Sequence, residues 1–357
     1  MTPQARRFLW LAVRVVVSTV CVAWVLRSVP WTDRLDPGTG AVLSRGFLSA
    51  LGDVFDQRTW LWLLAGVVAY ALSPLFGAMR WRMLMAVQGI RLNLGQAWRL
   101  TYIGFFYNTF LLGLTGGDLV KAWYAARQAH DKKAEAVATV FLDRLIGLFG
   151  LALLCMVALA FRWNDPAMLD VRRIVLIFIA VAAVLAILLF SRRMRRWLRL
   201  EALRSRLPLR DLVARVDAAV IVYRDHLRTV LAAILLSWVA HVVSIAAVYF
   251  SARALGLNPS PHHFLIYMPV IWIAASVLPS VGGLGPMEYL ATVYFTAGVL
   301  GLGPGGDARG QALATILLFR LVMFAAVLPG GVLHALHGDV SVRQARLDLK
   351  EAADSHG

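Results

Sequence analysis

Apolar residues run along this chain in long blocks, not at the two-residue spacing of a half-buried strand. Six blocks, 8–29, 59–79, 134–161, 174–190, 229–250 and 311–333, approach or exceed the roughly 20 apolar residues a helix needs to cross a bilayer core. They predict an all-α integral membrane protein with about six full transmembrane helices. Two further apolar stretches are broken by glycine: "YNTFLLGLTGGDLVKAWY" from Tyr107 to Tyr124, and "PSVGGLGPMEYL" from Pro279 to Leu290. The apolar run into the first, Ile103 to Thr115, is thirteen residues and too short to span. Irregular backbone is tolerated at membrane depth only where protein or water covers it, so both stretches are predicted to be re-entrant. In the second, 264–281 and 284–300 are each almost long enough to cross, which leaves two full crossings open.

The surroundings of the broken stretches repeat. A full span precedes each and carries arginine near its end: "FGAMRWRML" with Arg80 and Arg82, "VYFSARALG" with Arg253. Another span follows with an arginine inside it: "FLDRLIGL" with Arg144, "LLFRLVMF" with Arg320. From Gly117 to Arg144 is 27 residues and from Gly283 to Arg320 is 37; the loop "GLGPGGDARG" at 301–310 supplies the difference. The expected organisation is a single membrane domain over 1–340. Within it, repeat units at 59–161 and 229–335 are joined through the basic segment 191–228, and a short tail, 341–357, follows.

Composition agrees with this pattern. The chain is 60% hydrophobic and 16% charged, where a soluble domain carries about 25% charged residues. A net charge of +16 raises the question of nucleic acid, but the basic residues follow the loops instead of forming a binding face. Eight Lys or Arg lie between Arg80 and Lys133 and eleven Arg between Ser191 and Arg228, against three in 30–58, three in 162–173 and two in 251–310. The positive-inside bias therefore puts both termini, 80–133 and 191–228 in the cytoplasm, and the other loops outside. The two units then run in opposite senses, and paired interrupted segments in an inverted repeat point to a transporter's central site. The block 8–29 follows "QARRF" with no small-x-small cleavage site nearby and reads as an uncleaved anchor.

Cys21 and Cys155 both fall in apolar blocks, which suits neither a disulfide framework nor a metal site; no metal or other cofactor is expected. The sequence holds no G-x-x-x-x-G-K-[ST], H-E-x-x-H or G-x-S-x-G, so ATP hydrolysis and hydrolase chemistry are not expected. The segment 191–228 opens "RRMRRWLRL". Leu209, Leu212, Val213, Val216, Val220 and Tyr223 follow at three- and four-residue intervals. That reads as an amphipathic helix on the inner leaflet, or as a plain basic linker.

The candidate chemistry lies at the breaks and in the spans that follow them. Asp118 and Glu288 fall where helices restart after glycine, with Pro286 at a first helical position, and a carboxylate in a first turn complements the helix dipole. A helix amino terminus in apolar surroundings also attracts an anion such as a lipid phosphate. Arg144 and Arg320 are flanked by apolar residues, and an unpaired arginine there costs at least ~2.5–3.5 kcal/mol, so partners are expected among Asp118, Asp143 and Glu288. Asp143 and Arg144 are adjacent, about 100° apart on a helix, and cannot satisfy each other. The candidate translocation site is Asp118, Lys121, Arg144, Glu288 and Arg320, shaped by Gly116, Gly117, Gly282, Gly283 and Gly285, with Asp143 and Arg82 as charge partners. His241 reads as a hydrogen-bonded packing residue in preference to a proton relay.

"RWRML" (Arg80 to Leu84), "TGGDLVKAW" (Thr115 to Trp123), "FLDRLIGL", "LPSVGGLGPMEY" (Leu278 to Tyr289) and "LLFRLVMF" together resemble the transmembrane region of lysylphosphatidylglycerol synthases and its stand-alone flippase-like relatives. The resemblance runs from about 60 to 335, most of the chain. It implies a domain that translocates lipid through two facing re-entrant elements, without the family's soluble synthase domain and its enzyme activity. The expected partners are membrane lipids and, where the lipid is modified, a separate enzyme. Lys121 stands where relatives commonly carry arginine, which replaces a bidentate fork by a point charge.

Overall fold

The computed structural model describes residue 27 and residues 31–35, 42–44, 46–56, 59–110, 116–129, 132–190, 221–277, 283–303 and 307–336. A two-stranded antiparallel ribbon, β1 (Arg34–Leu35) with β2 (Val42–Ser44), and α1 (Phe47–Asp56) precede the bundle. The bundle then runs α2 (Trp60–Val87), α3 (Leu94–Phe110), α4 (Gly116–Gln128), α5 (Lys133–Ala160) and α6 (Leu169–Phe190). After a 3-10 turn, Val222–His226, come α7 (Leu227–Ala254), α8 (Pro261–Val277), α9 (Pro286–Tyr294), the one-turn α10 (Ala297–Leu300) and α11 (Ala308–Leu336). Long apolar runs become long helices because, in hydrocarbon, each backbone N–H and C=O has to be satisfied within its own segment. Among the described residues, α2, α5, α7 with its preceding turn, and α11 are long and apolar enough to cross a membrane.

These four helices cover the predicted blocks 59–79, 134–161, 229–250 and 311–333, and the block 174–190 falls within α6. The block 8–29 lies outside the described residues except residue 27, as do 191–220, the tail from 337 and the two breaks at 111–115 and 278–282. Of the predicted basic segment 191–228 the described residues include only 221–228; there Tyr223 is buried, its hydroxyl donating to the Leu84 carbonyl at 2.8 Å, while 222 and 224–226 are exposed.

The helix lengths recur: 28, 17, 13 and 28 residues for α2 to α5, then 28, 17, 9 and 29 for α7, α8, α9 and α11. Packing follows the same correspondence. The most extensive contact joins α2 to α7, the two first members. The other extensive contacts among these eight helices have exchanged partners: α2 on α3 and α7 on α8, α3 on α4 and α8 on α9, α4 on α5 and α9 on α11. The exchange also crosses between units, since α3 lies on α11 while α8 lies on α5.

Small residues let these apolar helices approach, since lipid offers no hydrophobic drive for association and contact has to come from close packing. A Cβ at Gly150 would stand 2.9 Å from that of Ser237, and one at Gly66 3.5 Å from the Ala247 carbonyl oxygen. The hydroxyls of Ser237, Ser244 and Ser251 each donate to the carbonyl four residues back, at 2.8, 2.9 and 2.9 Å, so the small polar face of α7 is satisfied without water.

Candidate functional site

Both breaks place a helix amino terminus against the centre of the bundle. At the first, Gly117 sits against Gly104 of α3, where an added Cβ would lie 1.8 Å from the Gly104 carbonyl oxygen. The Gly117 N–H, one of the orphan donors of a helix start, is taken by Asn108 Oδ1 at 2.8 Å. At the second, Gly283 and Gly285 have φ of 75° and 93°, a region that a side chain disfavours, and this turn delivers Pro286 into α9. Gly116 opens α4, and Gly282 lies outside the described residues. Substituting Gly117 by alanine should force α3 and α4 apart, lowering stability by about 1–3 kcal/mol in thermal unfolding of the purified protein.

The carboxylates and cations then meet in pairs. Asp118 is the third residue of α4 and Glu288 the third of α9. Asp118 Oδ2 lies 3.8 Å from Arg144 Nη1 of α5, and Glu288 Oε1 accepts from Arg320 Nε of α11. In both cases the third residue of a helix that follows a break meets an arginine of the next long helix. Their states differ, however. Glu288 is fully buried and also accepts from the Gly285 N–H at 2.7 Å, so one carboxylate both caps its helix and pairs with a cation. Asp118 and Arg144 keep 26% and 34% of their side-chain surface exposed.

Asp143 forms a third centre. It accepts from Arg80 Nε at 2.6 Å and from Lys121 Nζ at 3.1 Å, and all three side chains are buried or nearly so. Arg80 reaches further, donating through Nη1 to Ser237 Oγ at 2.7 Å, while Lys121 lies 4.2 Å from the centre of the Trp81 ring. A buried ion pair is tolerated only when its remaining hydrogen-bonding capacity is met, and here two cations share one carboxylate with a hydroxyl and an aromatic face in support. The proximity of Asp143 to Arg144 in sequence is not a contact between them. They point into different centres.

A cavity of about 270 Å³ lies among these groups. Its wall takes Arg80 of α2, Asp118 and Lys121 of α4, Asp143 and Arg144 of α5, and Arg320 of α11, while Glu288 lies outside its lining. His241 is also on the wall and hydrogen-bonds through Nε2 to the Gly147 carbonyl at 2.9 Å. Facing a carbonyl, that nitrogen has to be the donor. Thr101 lines the same space, and its buried Oγ1 has no hydrogen-bond partner among the described residues.

The structure corrects one candidate. Arg82 is exposed and takes no part in the ion pairs of the cavity; Arg80 does. The signal was in the sequence: Ser73 and Gly77 lie seven and three residues before Arg80, on one helical face of small residues, whereas Arg82 is about 200° further round. Asn108, Ser237 and Thr101 carried no comparable signal. Comparison with curated proteins and with solved structures gave no match. The sequence model of the lysylphosphatidylglycerol synthase TM region matches residues 11–331, nearly the whole bundle together with the stretch ahead of it, and the chain belongs to that family.

Proposed function

We propose that this chain is a lipid flippase-like transporter, carrying a phospholipid or other anionic or aminoacylated lipid between the leaflets of a bacterial inner membrane. One observation carries the reading: the cavity is walled by Asp118 and Arg144, an ion pair between a helix restart and the long helix after it, and by Arg320, the cation that Glu288 holds from the start of α9. Charged side chains inside a membrane are costly and mark pathways for polar cargo. Family membership supports a lipid-related role. The exchanged packing of the two units supports an inverted repeat in which α3–α4 and α8–α9 are re-entrant hairpins within a frame of six spans. In this reading the chain transports and does not synthesise, and any lipid-modifying enzyme is a separate partner.

Reconstituted in liposomes, the protein should accelerate movement of a fluorescent phospholipid to the inner leaflet without ATP, read as the fraction protected from an external quencher. Folded protein that moves no lipid class would overturn the proposal, and aminoacyl or hexose transfer in the same vesicles would replace it with an enzyme. Orientation has its own test. In a variant lacking Cys21 and Cys155, a cysteine at Asn164 should react with an impermeant thiol reagent in intact cells and one at Asn93 should not. The reverse pattern removes the cytoplasmic placement of both termini.

A further inference from the structure

The three charge centres of the cavity are not equally committed. Glu288 holds Arg320 and a backbone N–H with no exposed surface, and Asp143 is shared by Arg80 and Lys121. Arg144 is different. Its one ion pair among the described residues is the 3.8 Å contact with Asp118, the longest of the three centres and the most exposed. Asp118 Oδ2 has that ion-pair contact but no hydrogen bond among the described residues, and the hydroxyl of Thr101, which lines the same cavity, has none either. A donor for a phosphate oxygen and a guanidinium held by a weak competitor thus face one space.

Charge sets the ligand's sign. In their ordinary ionisation states Arg80, Lys121, Arg144 and Arg320 bring four positive charges, and Asp118, Asp143 and Glu288 bring three negative ones. Among the described residues these groups carry one positive charge in excess, in a space where uncompensated charge is costly. At about 270 Å³ the cavity is smaller than the ~300–1,000 Å³ that drug-sized ligands occupy, so it suits a headgroup with the acyl chains left outside.

We infer that this site selects a lipid phosphodiester of one net negative charge, with Arg144 as the phosphate-binding side chain and Thr101 as a second donor. The inference rests on the transport reading for its role, though not for its chemistry. A phosphatidylglycerol headgroup neutralises the site; a lysyl-esterified one, carrying two ammonium groups and one phosphate, adds a positive charge to a positive cavity. When the phosphate binds, Arg144 exchanges its long contact with Asp118 for charge-assisted hydrogen bonds, of which a guanidinium can make two in parallel. Arg80 and Lys121 stay with Asp143 and frame the site.

The test uses the full-length protein and fluorescent phosphatidylglycerol, phosphatidylcholine and lysyl-phosphatidylglycerol in liposomes. Phosphatidylglycerol should flip at least tenfold faster than the lysyl lipid. Arg144→Gln should lose at least tenfold of that rate, and Arg144→Lys should keep part of it. Asp118→Asn, which removes the competitor, should keep the discrimination and lower the concentration of phosphatidylglycerol needed for half-maximal rate. Equal or faster movement of the lysyl lipid overturns the selectivity and leaves transport standing. If no lipid moves, transport fails, and binding decides the chemistry: phosphatidylglycerol in detergent should raise the unfolding temperature of wild type and of Arg144→Lys, but not of the double variant Asp118→Asn, Arg144→Gln, whose lost charges balance. Inorganic phosphate giving that rise where phosphatidylglycerol does not would assign the site to a soluble anion and overturn the lipid assignment. No rise with either overturns the inference.

Discussion

Glu288→Gln should lower stability by about 3–5 kcal/mol, far more than the loss of a helix cap. If the carboxylate served only the start of α9, the amide could still accept from the Gly285 N–H, and the change would cost about 0.3–1 kcal/mol of dipole interaction. The same carboxylate, however, holds Arg320 with its other oxygen, and both side chains are buried. Removing its charge takes from that guanidinium, in low dielectric, the carboxylate it is paired with. Arg320→Met should cost a similar amount, because it leaves the carboxylate with one N–H donor. In the double variant neither charge remains, and part of the loss should return. The cycle of single and double variants, read by thermal unfolding, gives the coupling directly. Single variants as stable as the wild type would reduce Glu288 to a cap. Since Glu288 has both oxygens engaged, Glu288→Gln should also leave any pH dependence of lipid movement in place.

Hydropathy made the four long helices legible, because an unbroken apolar run in a membrane has few alternatives to a helix. It was less able to place the first half of α3. Its start, "LGQAWRL", is polar enough to read as loop, and it becomes helix through packing on α2 and α11. The correspondence of Asp118 with Glu288 and of Arg144 with Arg320 was visible as spacing from the glycine breaks, since a restarted helix fixes where its third residue stands. Which cation meets which carboxylate was not visible. Asp143 has partners 63 residues before it and 22 before it, on two different helices, and nothing local distinguishes Arg80 from Arg82 except the face of α2 on which each lies. Close approach of Gly104 and Gly117 was equally hidden, since a glycine that opens a turn and one that admits a neighbouring backbone look the same in sequence.

Asp143→Asn should be among the most damaging substitutions in the protein. Its carboxylate is the shared anion of Arg80 and Lys121, and none of the three side chains is more than 11% exposed. The amide oxygen of asparagine can still accept from Arg80, but its NH2 then faces the Lys121 ammonium, donor against donor. We expect a loss of about 3–5 kcal/mol, seen as a lower unfolding temperature and poor recovery from detergent. Lys121→Met should cost less, because it leaves the Arg80–Asp143 pair intact with its hydrogen bond from Arg80 to Ser237. Combined with Asp143→Asn it should restore part of the lost stability, since the stranded ammonium is gone. Arg82→Gln, on the exposed face of the same helix as Arg80, should stay within about 0.5 kcal/mol of wild type. The ordering is the test: a double variant less stable than Asp143→Asn alone would mean that Lys121 is held by something other than Asp143. An Arg82→Gln loss comparable to that of Asp143→Asn would move the charge centre back to the residue that the structure leaves outside it.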